Sequence, residues 1–167
     1  DDWIAVARST ASHNTLVLAE TSSSRLMRHD KLEKIAGGLP IRGPDLALVK
    51  LSQEGGASVL AAGHDGYLKR YELLQNRRIS LDKAGTTLEG IDRLEPPSGR
   101  LRLKQDLPFA IHFHLHPDCT VEDIGDEAPV RIQMPGGKAF LFHVDGADLF
   151  IEESLFFAES SGPRPGL

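Results

Sequence analysis

From residue 46 onward the chain is written in short runs of β-branched, aliphatic and aromatic residues, cut by Gly, Pro, Asn and Asp, with almost no sustained 3.6-residue periodicity. Such punctuation leaves little room for long helices, and strands joined by only a few residues pair antiparallel. LALVKLS (46–52), the Gly55-Gly56 turn and ASVLAAG (57–63) read as a hairpin. HDGYLKRYEL (64–73), NRRISLD (76–82) and TTLEGIDRL (86–94), the last reached through Lys83-Ala84-Gly85, extend it into a meander. PPSG at 96–99 marks a surface loop. Beyond it come a histidine-rich strand (107–116), VRIQM (130–134), KAFLFHV (138–144) and ADLFIEES (147–154), the last three joined by Pro135-Gly136-Gly137 and Asp145-Gly146. Ser22 to Ile35 is the best helical candidate, but it lacks a clean apolar face and reads as loop with about one turn. The tail SSGPRPGL (160–167) has the composition of a frayed end or linker. About a dozen short strands in one chain imply an all-β, antiparallel sandwich or supersandwich of two packed sheets.

Composition narrows the function classes. A chain of 167 residues, 40% hydrophobic, suffices for one sizeable core, and a single domain over 1–167 is expected. The net charge is −5, and Lys and Arg are scattered apart from short pairs such as Arg77-Arg78, so no nucleic-acid surface is expected. No apolar run approaches the roughly 20 residues needed to cross a bilayer as a helix, so no membrane partner is expected. The start, DDWIAVAR, lacks a basic region followed by an apolar stretch, so no signal peptide is expected and the compartment stays unassigned. Cys119 has no second cysteine to pair with and reads as an inert thiol. Neither G-x-S-x-G nor a phosphate-binding glycine loop occurs, which removes the commonest nucleophile and nucleotide signatures.

The run FAIHFHLHP (109–117) raises the possibility of metal chemistry. On an extended strand His112, His114 and His116 share one face, while Phe109, Ile111, Phe113 and Leu115 share the other. At a rise of roughly 3.3 Å per residue the outer two lie about 13 Å apart, whereas a metal holds imidazole nitrogens at about 2.1 Å. One ion could take two neighbours but not all three, and the alternative is the polar face of an amphipathic strand.

Three stretches in order, RSTASHNTL (8–16), HDGY (64–67) followed by NRRISL and G-x-D-x-L (90–94), and FHLHP (113–117), resemble the β-rich part of heparinase II/III-like proteins. The resemblance covers nearly the whole chain, and R-x-T-x-x-H-N-T-L is its most specific element. It implies a polysaccharide lyase built from an N-terminal helical toroid and β-sandwich layers, with the cleft between them. Such a lyase breaks the bond to O4 of a uronic acid by removing the C5 proton, which needs a group facing the carboxylate, a base and an acid. In relatives most of these groups come from the toroid. The resemblance therefore implies that this β portion, by itself, lacks most of the catalytic set and is inactive alone, and that its partners are the toroid and, through it, an acidic glycosaminoglycan-like polysaccharide.

The resemblance places His13 on the β side of the cleft as a catalytic residue, or as a ligand of a structural zinc whose other donors, a His and an Asp, would precede Asp1. A substitute set of His13 with Asp30 or His64, and an ordinary histidine in an N-terminal strand, stay open. His64 and Tyr67 suit contacts to a sugar hydroxyl or carboxylate, or else belong to a turn for which Asp65-Gly66 supplies the backbone geometry. His114 and His116 mark the family pattern as structural residues. Family members are often periplasmic.

Two other classes compete. H-x-H, Pro135-x-Gly137 and a later histidine suggest a metal-binding cupin using His114, His116, Glu122 and His143, although both spacings depart from that pattern. A non-catalytic structural or glycan-contacting module is the other, with few aromatic platforms (Trp3, Tyr67, Tyr71) and with Arg77 and Arg78 or Arg25 and Arg28 as the groups to meet a polyanion. Pairing between copies through an open sheet edge, giving a homodimer, is a further expectation.

Overall fold

A computed structural model describes residues 2–27, 41–97, 99, 106–122, 129–157 and 162–167. The chain falls into two compact units, residues 1–11 with 15–111 and residues 12–14 with 112–167. It is an all-β chain, and every strand pairing among the described residues is antiparallel.

The first unit opens with a short helix, α1 (Asp2–Ala7), and a 3-10 turn from Thr10. Strand β1 (Leu16–Leu18) pairs with β8 (Phe109–Ile111), and β2 (Arg25–Leu26) pairs with β3 (Ile41–Arg42). Its main element is the meander β4 (Ala47–Glu54), β5 (Ala57–His64), β6 (Leu74–Leu81) and β7 (Leu88–Glu95), in that spatial order. The β4–β5 hairpin, its glycine turn and the β6–β7 connection through Lys83-Ala84-Gly85 stand where the residue pattern puts them. Gly55 and Gly56, at φ +60° and +91°, make the two-residue turn that the twist of paired strands favours.

The register aligns Val49, Ala62, Arg77 and Asp92 in one row across the meander and Leu51, Leu60, Ile79 and Gly90 in the next, on the same face. At one end this face carries the row Ala47, His64, Gln75 and Leu94. There Leu16, Leu18, Tyr67 and Leu73 form the core of the unit, with Ala19, Tyr71, Leu94, Leu107 and Ile111 packed against them. Arg77 crosses to Asp92 with both nitrogens, Nε to Oδ1 and a terminal nitrogen to Oδ2, each at 2.8 Å. The NRRISL and G-x-D-x-L signatures thus meet as one cross-strand ion pair. On the opposite face Arg78 reaches Glu54 at 2.8 Å, and the register sets the buried Val59 between them.

The second unit holds a three-stranded sheet, β9 (Thr120–Glu122), β10 (Val130–Gln133) and β11 (Ala139–Phe142), with β10 central. It also holds the pair β12 (Ser154–Phe156) and β13 (Arg164–Gly166). Met134 and Lys138 close the Pro135-Gly136-Gly137 turn by a 2.8 Å hydrogen bond.

Several sequence expectations need correction. HDGYLKRYEL is not a strand: after the turn at Asp65-Gly66 it forms one helical turn, α2 (Leu68–Tyr71), ended by Glu72 at φ 59°. The histidine strand stops at Ile111, because the next backbone donors bond outside any ladder: His114 N–H goes to Asn14 Oδ1 (2.6 Å) and Leu115 N–H to Leu167 O (2.6 Å). ADLFIEES is extended in composition only, since residues 147–153 have no ladder partner and the strand begins at Ser154. The tail is not frayed over its last residues, where β13 pairs with β12. His13 precedes β1 in a bend and so is not a strand histidine. Of the Ser22–Ile35 stretch, Arg25 and Leu26 form β2, and residues 28–40, Asp30 included, lie outside the described residues.

Candidate functional site

The HDGY stretch is a structural knot in which each residue has a traceable task. His64 ends β5, and its Nδ1 accepts the Gly66 N–H at 3.1 Å, so the neutral ring carries its proton on Nε2. Asp65 Oδ1 accepts the Leu46 N–H at 3.1 Å, holding the entry to β4. Gly66 lies so close to Ser23 that a Cβ would stand 2.7 Å from its carbonyl oxygen, which leaves room for glycine alone. Tyr67 has no exposed surface; its hydroxyl donates toward the carbonyls of Leu16 (3.1 Å) and Thr21 (3.2 Å) and accepts the Leu18 N–H at 3.4 Å. Tyr71, one helical turn on, brings its own hydroxyl within 3.2 Å of Thr21 Oγ1.

Burial sets the ionisation of both aromatic members of the knot. Desolvation pushes the His64 pKa below the ordinary imidazole value, against the opposing pull of Gln75 and the Asp65 charge. Desolvation likewise raises the Tyr67 phenol. Gln75, paired with His64 across the strands, donates to Thr15 Oγ1 at 3.2 Å. The knot is therefore a partly desolvated polar cluster beside the Asp65 carboxylate. Of the two residues read as sugar contacts, Tyr67 is wholly inside the unit and His64 is half-buried.

The RSTASHNTL stretch is shared between the two units. Thr10, itself buried, accepts the Ser23 N–H on Oγ1 (2.9 Å) and donates its own N–H to Ser22 Oγ (3.1 Å). Thr15 meets Gln75, and Leu16 belongs to the core. Asn14 caps the His114 N–H within the second unit. His13 is exposed, as are Arg8, Ala11 and Asn14 of the same stretch. Thr10, Asn14, Thr15 and Leu16 are accounted for by packing and hydrogen bonds.

In the second unit His114 Nδ1 lies 2.6 Å from Ser154 Oγ, and the rings of His112 and His114 stack 5.9 Å apart at 18°. His116 packs edge-on against Phe156 at 4.8 Å and takes the Asp118 N–H on Nδ1 at 3.2 Å. Phe113 meets Phe142 at 5.1 Å. The spacing of the first two imidazoles is close to that of same-face strand neighbours although the ladder has ended. His116 Nδ1 also lies 3.6 Å from a carboxylate oxygen of Asp118.

Among the described residues no three His, Cys, Asp or Glu side chains converge as a metal site. Among the described residues the donors do not converge on His13, nor do His114, His116 and His143 converge as the cupin triad would need, while the set of His13 with Asp30 lies outside the described residues. No helix is long and apolar enough to cross a membrane among the described residues.

Comparison with known proteins decides the lineage. The family model described as "Heparinase II/III-like, C-terminal" matches residues 1–166. The chain belongs to the heparinase II/III-like family. Its match is to the C-terminal part, a β-sandwich domain. A similar curated protein is FtsZ-localized protein C of Caulobacter vibrioides (strain NA1000 / CB15N), 32% identical over 107 residues. The aligned region covers 62% of this chain and 18% of that protein, so the chain spans less than a fifth of this relative's length there. No solved structure matches.

Residue reasoning alone missed the roles of Thr10, Asn14 and Asp92. Small polar residues at fixed spacing are the available signal, but their partners (Ser23, His114 and Arg77) are distant in sequence or on another strand.

Proposed function

We propose that this chain is the β-sandwich wall of a polysaccharide lyase acting by β-elimination on a uronic-acid-containing polysaccharide, with the remainder of the polypeptide supplying most of the reacting groups. The observation that carries the reading is the family match over residues 1–166, and the exposed position of His13 is compatible with it. An exposed imidazole at that point suits a developing negative charge on a uronate carboxylate, or a proton moving to or from the sugar. His64, half-buried and neutral, belongs to the same proposal only as a hydrogen-bonding group at the edge of the knot. A zinc ion would need donors beyond the described residues, so no step is assigned to one.

The test is incubation of the full-length protein with heparin, heparan sulfate and alginate, following the ultraviolet absorbance of unsaturated uronates. Turnover is expected from the full-length protein, with a loss of at least tenfold in His13→Ala, and none from the 167-residue chain. Turnover by the chain alone would overturn the division of labour, and an unaffected His13→Ala would remove His13 from the chemistry.

A second reading rests on the relative named for its localisation with FtsZ. Under it the chain is a non-catalytic module of a protein placed at the division apparatus, consistent with motif residues that serve architecture. Co-sedimentation with FtsZ polymers, together with no turnover by the full-length protein on any of the three polysaccharides, would favour this reading over the lyase.

A further inference from the structure

The meander of the first unit has two edges of opposite character. β7 reads LEGIDRLE and carries Glu89, Asp92, Arg93 and Glu95, the density of charge by which sheets discourage further pairing. β4 reads ALVKLSQE, stands at the other end of the strand order, and exposes Leu48 (62%), Val49 (73%) and Leu51 (74%). Val49 and Leu51 lie on one face and Leu48 on the other, so no single overlying layer would cover all three, whereas a strand added at the edge would flank Leu51.

Among the described residues no strand pairs with the outer edge of its backbone. The two-residue turn makes Glu54 and Ala57 the closing hydrogen-bonded pair, and the Asp65 N–H to Leu46 O bond falls in the same phase. By alternation, the N–H and C=O groups of Ala47, Val49, Leu51 and Gln53 point away from β5.

We propose that β4 pairs antiparallel with β4 of a second copy of this chain, on a two-fold axis at Ser52, joining the two meanders into one continuous sheet. The self-complementarity of the strand selects the register. Centred on Ser52, Lys50 lies opposite Glu54 of the other copy, twice, and Leu51 lies opposite Gln53 in the hydrogen-bonded pairs, with the two Leu51 side chains diagonal across the axis. Centred on Lys50, two ammonium groups would face each other; centred on Leu51, Glu54 would face Leu48. The Ser52 register alone among these joins opposite charges. Glu54 already draws Arg78 and Ser52, and its carboxyl is held below the ordinary carboxylate range by them, so an arriving Lys50 meets a carboxylate.

The experiment is sedimentation combined with cross-linking. The chain at tens of micromolar is expected to sediment at twice its 18.2 kDa mass. Ser52 on the axis falls in a non-hydrogen-bonded pair with Cα atoms about 4.5 Å apart, within reach of a disulfide. Ser52→Cys in a Cys119→Ser background should therefore give a covalent dimer under mild oxidation. Val49→Cys in the same background, with its thiols about 20 Å apart, should cross-link at least tenfold more slowly. Val49→Lys with Leu51→Lys, both at exposed positions, should weaken association at least tenfold and leave the far-ultraviolet circular dichroism unchanged.

A monomer throughout that range overturns the proposal. So does a dimer that survives the double lysine variant and does not cross-link at position 52. A full-length protein that is monomeric yet protects the outward amides of Val49, Leu51 and Gln53 from exchange would show the rest of the polypeptide occupying the edge, and would overturn it equally.

Discussion

A tyrosine with no exposed surface gathers three backbone groups from β1 and the turn after it, and this makes Tyr67 a keystone of the first unit. Tyr67→Phe keeps the ring and strands those groups, so it should cost about 1–3 kcal/mol, read as a lowered urea midpoint at unchanged slope. His64 supplies a pH signature. Its folded pKa lies below the unfolded value of about 6.5, because burial disfavours the imidazolium and Nδ1 is engaged as an acceptor from Gly66. Between the two pKa values the unfolded chain binds more protons, so stability is full above about pH 6.5 and falls as pH drops through the depressed folded value. Thermal melts between pH 8 and 5 should show this decline, and His64→Gln should flatten it. The lowered carboxyl pKa values of Asp45, Glu54 and Asp82 act at more acidic pH, so they do not mask the window.

At the scale of elements, the meander was legible because hairpin turns and alternation are local: LALVKLS, Gly55-Gly56 and ASVLAAG name their own partners. HDGYLKRYEL was not, since its two tyrosines and its leucines read as a strand while the close approach of Gly66 to Ser23 and the Asp65 bond to Leu46 turn the chain into α2. Residues 147–153 show the converse, strand propensity without a ladder to join. The Arg77–Asp92 pair joins β6 to β7 with its side chains 18% and 7% exposed. Asp92→Asn or Arg77→Ala should therefore cost about 3–5 kcal/mol, because either leaves a largely buried charge without its partner. Chemical denaturation measures it, and the double variant Arg77→Met with Asp92→Leu should lose less than the two single changes summed.

For the molecule as a whole, the sequence determined what short-range chemistry determines: an all-β antiparallel chain, the meander and its turns, and membership of the heparinase II/III-like family through motifs spread over nearly its full length. Each of these is written in neighbours or in a recurring spacing. The roles within the motifs were decided by tertiary structure, because they depend on partners far along the chain: Tyr67 on Leu16 and Thr21, Thr10 on Ser23, Asn14 on His114. A polar residue at a signature position looks alike in sequence whether it holds a backbone or meets a substrate. Burial and hydrogen bonding separate the two, and they leave Tyr67 inside the unit while turning His13 outward. The same three-dimensional pairing gave the FHLHP backbone its off-ladder partners and the last residues of the chain a strand, since a hydrogen bond forms where a donor and an acceptor meet in space, whatever their separation along the chain.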